Sequence, residues 1–148
     1  MAGRLTMWGA GQILRTYFSK TSEPPPNFYL ALIKDLAPTP YVSGSELDEP
    51  GLDTGYARAE LPNDAASWTA EEGTLHITGN AVEVTFITAQ ADWGNINYWA
   101  LCNADAGGYC VAVGNMEEPN YVSTGDQVVL GTDELTIELG PFFTDEDF

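Results

Sequence analysis

The residue types able to do chemistry in this 148-residue chain are a single histidine, two cysteines, adjacent glutamates and several acidic turns. His76 stands between Leu75 and Ile77 in a stretch that reads as a strand. A general base needs a nucleophile and an orienting carboxylate, and a zinc ligand needs a second His or Cys at ligand spacing; neither pattern occurs. His76 therefore reads as a packing or surface residue. Glu71-Glu72 and Glu117-Glu118 each supply two carboxylates, but neighbours on a strand point to opposite faces and both pairs flank turn residues. Solvated loops suit them better than acid–base work. The acidic turns at Asp105, Asp126 and Asp133-Glu134 lack the alternating oxygen ligands and distal Glu of a dedicated calcium loop. There is also no phosphate-binding glycine loop, dinucleotide fingerprint or Gly-x-Ser-x-Gly elbow. The expectation is a non-enzymatic protein with no catalytic residue, no metal site and no cofactor.

Cys102 and Cys110 flank the turn at Gly107-Gly108, so they are expected to face each other on paired strands. Without an export signal to imply an oxidising compartment, they read as reduced, half-buried thiols.

Charge is unevenly distributed. Five Lys or Arg stand against 22 Asp or Glu, giving a net charge of −17. Residues 1–20 hold Arg4, Arg15 and Lys20 with no carboxylate, while no Lys or Arg follows Arg58. A basic leading segment before an acidic body is suited to docking on copies of that body. Phosphate backbones are held chiefly by Lys and Arg, so nucleic acid is excluded as a partner. No run of 18 apolar residues suggests a membrane span. An acidic surface of this density repels itself at low ionic strength and is relieved by molar salt, which points to a halophilic source.

Three segments follow from the pattern. Residues 1–26 comprise a helix over 6–19, where Ala10, Ile13, Leu14, Tyr17 and Phe18 repeat with helical spacing, and a stiff connection at Pro24-Pro25-Pro26. Gly9 and Gly11 each cost that helix about 1 kcal/mol relative to alanine, so its apolar face is expected to be buried against protein. Residues 27–140 change to a period of two. Phe28 to Leu36, Tyr56 to Leu61, Leu75 to Ile77, Val82 to Phe86, Ile96 to Cys102, Cys110 to Val113, Val128 to Leu130 and Leu135 to Leu139 read as seven or eight short strands, a mainly β, antiparallel sandwich. Residues 141–148 form an acidic, aromatic tail.

Along Ile96 to Cys102, Trp99 shares a face with Asn97, Leu101 and Asn103, opposite Tyr98 and Cys102. Were that face exposed, Trp99 and Leu101 would make an apolar patch of the kind that marks an interface. Candidate subunit-interface residues are therefore Arg4, Trp8, Ile13, Leu14, Arg15, Tyr17, Phe18, Trp99, Leu101, Phe142 and Phe143. The alternative is a glycan-binding module for a host surface, using Trp68 or Trp99 as a stacking platform beside Asn97.

A run of short motifs in consistent order carries a resemblance: Pro26 to Leu32, Gly55-Tyr56-Ala57-Arg58, Trp68, Asn80, Val84-Thr85-Phe86 and Ala91-Asp92-Trp93-Gly94. Ala104 to Gly108, Val122 to Asp126 and Leu135 to Leu139 continue it. Over residues 27–139 the chain resembles a family of small tailed-virus virion proteins, tail-fibre-like or decoration-type. It departs from that family in carrying Ile87 where proline is common and in its strong acidity, which suggests a haloarchaeal host. The resemblance implies a structural component of the particle (capsid decoration or turret, collar, or tail fibre), assembled in the host cytoplasm and placed on the external virion surface. It implies homo-oligomers and other virion proteins as partners. Gly55, Tyr56, Trp93, Gly94, Asp105, Gly107, Gly108, Gly125 and Asp126 become architectural residues.

Overall fold

A computed structural model describes residues 1–69 and 76–140. Its strands are β1 (Ala2–Leu5), β2 (Asn27–Ile33), β3 (Ala59–Pro62), β4 (Ile77–Gly79), β5 (Val84–Thr85), β6 (Gly94–Cys102), β7 (Cys110–Val122), β8 (Val129–Leu130) and β9 (Thr136–Glu138). One helix, α1 (Met7–Leu14), follows β1 directly. Seven strands share a sheet in the order β3-β2-β6-β7-β1-β9-β4, and β5 pairs with β8 as a separate ribbon.

The protein is mainly β with an N-terminal helix, as its alternation predicts, but two stacked antiparallel sheets are not what forms. The large sheet is mixed, because β1 lies between β7 and β9, antiparallel to the first and parallel to the second. From sequence, residues 2–5 belong to the segment 1–26 of helix and proline connection, with no strand expected there. A parallel pair cannot be closed by a hairpin and needs a long crossover. Here most of the chain lies between its two members.

Alternation along β2 sends Leu30 and Leu32 into one core and Ala31 and Ile33 into another. The larger core lies between the sheet and the β5–β8 ribbon, with Val84, Phe86 and Leu130 meeting Trp99, Leu101 and Ala112. The smaller core contains Ala100, Cys102 and Cys110 and is capped by Val42 and Leu47 from the long loop after β2. In β6 the phase changes. A register shift between Ile96 and Tyr98 places Ile96 with Trp99 and Leu101, while Tyr98 stays with Ala100 and Cys102. Both faces of β6 are therefore covered. Trp99 and Leu101, expected as an exposed patch, are 0% and 1% exposed.

Trp99 fills a gap that two glycines leave. Gly114 on β7 stands opposite Trp99, and Gly3 on β1 stands opposite Gly114. A Cβ on Gly114 would lie 2.6 Å from Trp99 Cζ2, and one on Gly3 would overlap the indole ring itself. Glycine in a strand interior marks such a close approach, and the large ring supplies the apolar contact that the glycines lack. Gly3→Ala should lower stability by about 1–3 kcal/mol through overpacking. The reading is a urea midpoint that falls with its slope unchanged; an unchanged midpoint would show that the ring does not lie on this seam.

Candidate functional site

Thr6 joins β1 to the helix and fastens both to β7. Its N–H donates to the Val111 carbonyl at 2.9 Å, its hydroxyl donates to the Cys110 carbonyl at 2.6 Å, and its Oγ1 accepts from Gly9 N–H at 3.0 Å. α1 continues into a π-helical turn, Arg15–Ser19, which ends at Lys20 with a left-handed φ of 54°. Together they match the helix expected over residues 6–19.

The face that meets the sheet is not the apolar one. Gly9 is the buried residue of α1, and a Cβ there would overlap the Val111 carbonyl. Beside it Trp8 stacks on Tyr109, with ring centroids 4.7 Å apart and 6° between planes. With Gly9 inward, Leu14 and Phe18 fall on the far side at 3.6 residues per turn. Ile13, Leu14, Tyr17 and Phe18 are 44%, 57%, 76% and 75% exposed, so the chain's own β-structure does not bury them as the helical spacing led one to expect.

Behind the helix lies an apolar groove of about 890 Å³. Trp8, Ile13 and Tyr17 form one wall and the three prolines another. Asn63 holds the prolines in place: its N–H donates to the Pro26 carbonyl at 3.1 Å and its Nδ2 to the Pro25 carbonyl at 2.9 Å. Phe28, Trp68 and Ile137 line the sheet side. Trp68 meets Phe28 edge to face at 5.6 Å and donates from Nε1 to the Pro62 carbonyl at 3.1 Å. A stacking platform of Trp99 beside Asn97 does not form, since Trp99 is enclosed and Asn97 Nδ2 donates to the Lys34 carbonyl at 2.6 Å. Arg4 is exposed on β1 opposite Glu138 of β9, and Arg15 is exposed at the start of the π-helical turn. Phe142 and Phe143 lie outside the described residues.

The most strongly perturbed ionisable groups sit elsewhere, around Arg58. This buried side chain uses all five donors: Nε and Nη2 to the two Glu49 oxygens at 2.8 and 2.9 Å, Nη1 to the Ala104 and Gly107 carbonyls, and Nη2 also to the Gly44 carbonyl. Tyr56 donates to Glu49 at 2.6 Å and accepts from Leu32 N–H at 3.0 Å. Burial, and then the Glu49 carboxylate, push the Tyr56 hydroxyl well above the ordinary phenol range. Cys102 and Cys110 are paired across β6 and β7 and both are free thiols, more deeply buried than expected. Their mutual hydrogen bond and burial raise the Cys102 pKa. Saturated donors and closed packing make this cluster a clamp between the long loop, β3 and the β6–β7 turn. The sequence places Arg58 in the Gly55 to Arg58 motif but carries no local signal for its pairing with Glu49. Among the described residues no group of three or more His, Cys, Asp or Glu gathers to hold a metal ion.

The model of the family described as Podophage GP4 fiber I protein gp80 matches residues 4–138. The chain belongs to this family. It is a phage structural protein of the tail-fibre type and a component of the virion. Comparison with curated proteins gives no match.

Within this fibre-family fold, the residues read as architectural occupy turns and packing positions. Gly55, Gly94, Gly107, Gly108 and Gly125 all have positive φ. At Gly108 the requirement is also steric, because a Cβ would lie 2.5 Å from Asn103 Oδ1. Trp93 is buried and meets Tyr56 edge to face at 5.3 Å, while Asp126 Oδ2 accepts from Ser123 N–H at 2.8 Å. Asp105 is exposed in the β6–β7 turn.

Two outcomes follow from the clamp. Arg58→Lys keeps the charge but not the fork, and should cost much of the roughly 3–5 kcal/mol that breaking a buried pair costs, read as a lowered thermal midpoint. A midpoint within error of wild type would mean that the fork contributes nothing. Native protein should resist iodoacetamide and yield two reactive thiols only in denaturant, because both sulfurs are enclosed. Rapid alkylation under native conditions would contradict that burial.

Proposed function

We propose that this fibre-family protein is non-enzymatic, sits on the external surface of the virion as a fibre component, and assembles as a homo-oligomer through the outer side of its N-terminal helix. The observation that carries the reading is the stripe Met7, Leu14 and Phe18, exposed by 57%, 57% and 75% on an element rigidly capped onto the sheet. Full burial of side chains of this size is worth roughly 1.5–3 kcal/mol each, and an exposed apolar patch rimmed by polar groups marks a contact surface. Arg15 stands at the start of the π-helical turn that carries Phe18, where it can meet the acidic body of a neighbouring copy. The family description supports a fibre over a capsid decoration, turret or collar. The high-salt reading, and a haloarchaeal source with it, rests on surface charge alone.

Because the stripe is exposed in the single chain, the double variant L14D/F18D should fold with a thermal midpoint close to wild type and sediment as a monomer. Wild type should associate, more strongly as salt screens the net charge of −17. Light scattering that finds wild type monomeric from low to molar salt would sink the proposal. So would a double variant that still assembles and still enters particles.

A further inference from the structure

Gly11 lies on the outer side of the helix, where its own chain leaves room for a side chain. At Gly9 a Cβ would overlap the Val111 carbonyl, whereas the nearest atoms a Cβ on Gly11 would meet are those of the flexible Arg15 guanidinium, 3.3 Å away. Glycine disfavours a helix interior relative to alanine, but a residue without a Cβ lets another backbone come close. At 3.6 residues per turn Gly11 adjoins Met7 and Leu14 on the side away from Gly9, inside the exposed apolar stripe that Phe18 extends.

The stripe complements itself in one direction. When two copies of the helix are laid antiparallel about an axis level with Gln12 and Ile13, Leu14 of each falls on Gly11 of the other and Met7 of each falls beside Phe18 of the other. Large then meets small, and thioether meets ring. Laid parallel in register, Gly11 faces Gly11 across a gap and Arg15 faces Arg15. Charge selects the same direction. Arg15 opens the π-helical turn at one end of α1 and Lys20 closes it. At the other end Trp8 stacks on Tyr109, Tyr109 is bridged to Ser43, and Ser43 begins the turn that carries the exposed carboxylate of Glu46. Antiparallel copies bring the cations of each toward Glu46 of the other.

We infer that the assembly surface is a two-fold contact with a second copy of this chain, α1 packed antiparallel on α1 with Leu14 over Gly11 and Met7 beside Phe18. The inference rests on the homo-oligomer proposed above and adds the direction and register of the contact, which is isologous and closes on itself.

Cross-linking of cysteine variants reads both, since the native thiols are enclosed. Sedimentation comes first: a wild type that stays monomeric up to molar salt overturns the proposed assembly and this contact together. With association established, M7C and F18C made as separate chains, one of them tagged, should be joined by a short bismaleimide only when mixed. Within one helix the two positions lie roughly 16 Å apart at 1.5 Å per residue, so neither variant should couple to itself. Self-coupled M7C, as parallel helices would give, or an associated mixture without the M7C–F18C product, overturns the inference and leaves the assembly proposal standing. Where a cysteine variant itself dissociates, Gly11→Leu decides. It should weaken association roughly tenfold or more, because its side chain meets Leu14 of the other copy, with the thermal midpoint of the dilute monomer no lower than wild type. Unchanged association of Gly11→Leu overturns the contact.

Discussion

The indole of Trp99, laid across Gly114 and Gly3, is the contact on which the arrangement of the molecule depends. It lets β1 and β7 approach beneath a ring too large for any strand interior that carried side chains at those positions. The Trp99 Nε1–H finds no acceptor among the described residues, a cost of about 1–3 kcal/mol for a buried donor. The ring is thus held for its shape and apolar area rather than for its polar end. Because β1 is fixed there, Thr6 falls where it can cap the helix and bond to β7, and the helix inherits its position from the sheet.

The opposite face is organised by a different force. Arg58 gathers carbonyls from two loops and a bidentate carboxylate around one buried charge, so the long loop after β2 and the β6–β7 turn are held together over a thin core of Ala31, Ala100 and two thiols. Small residues in that core let the loop descend close to the sheet, and Gly44 lies so near Gly107 that a Cβ would overlap its carbonyl. Because Glu49 neutralises Arg58 within the clamp, the exterior keeps the net charge of −17. For a fibre-family protein, that exterior limits close packing of copies unless salt or basic groups intervene.

The helix reverses the usual division of an amphipathic element. Its glycine faces the protein and its large apolar groups face away, an arrangement that a helix of this length would not sustain by propensity alone. What holds it is local: the Thr6 cap, the Gly9 approach to Val111 and the Trp8–Tyr109 stack. The cost of exposing Leu14 and Phe18 then becomes a driving force for association.

By itself the sequence determined the elements that rest on local rules. A period of two located most of the strands, the prolines bounded the helical segment, and the glycines quoted at the turns are those whose φ is positive. Facing cysteines followed from the hairpin geometry around Gly107-Gly108. Matters of phase and partner lay beyond that reading. One bulge in β6 moved Ile96 onto the side of Trp99 and Leu101, and no periodicity shows whether a second face will be covered. Residues 2–5 are too short and too rich in small or polar side chains to announce a strand; they become one only because Gly114, Trp99 and β9 meet there. Helical spacing likewise identified an apolar stripe, but which side turned inward was decided by Gly9 against Val111, a long-range steric fit that exists only once β7 is in place.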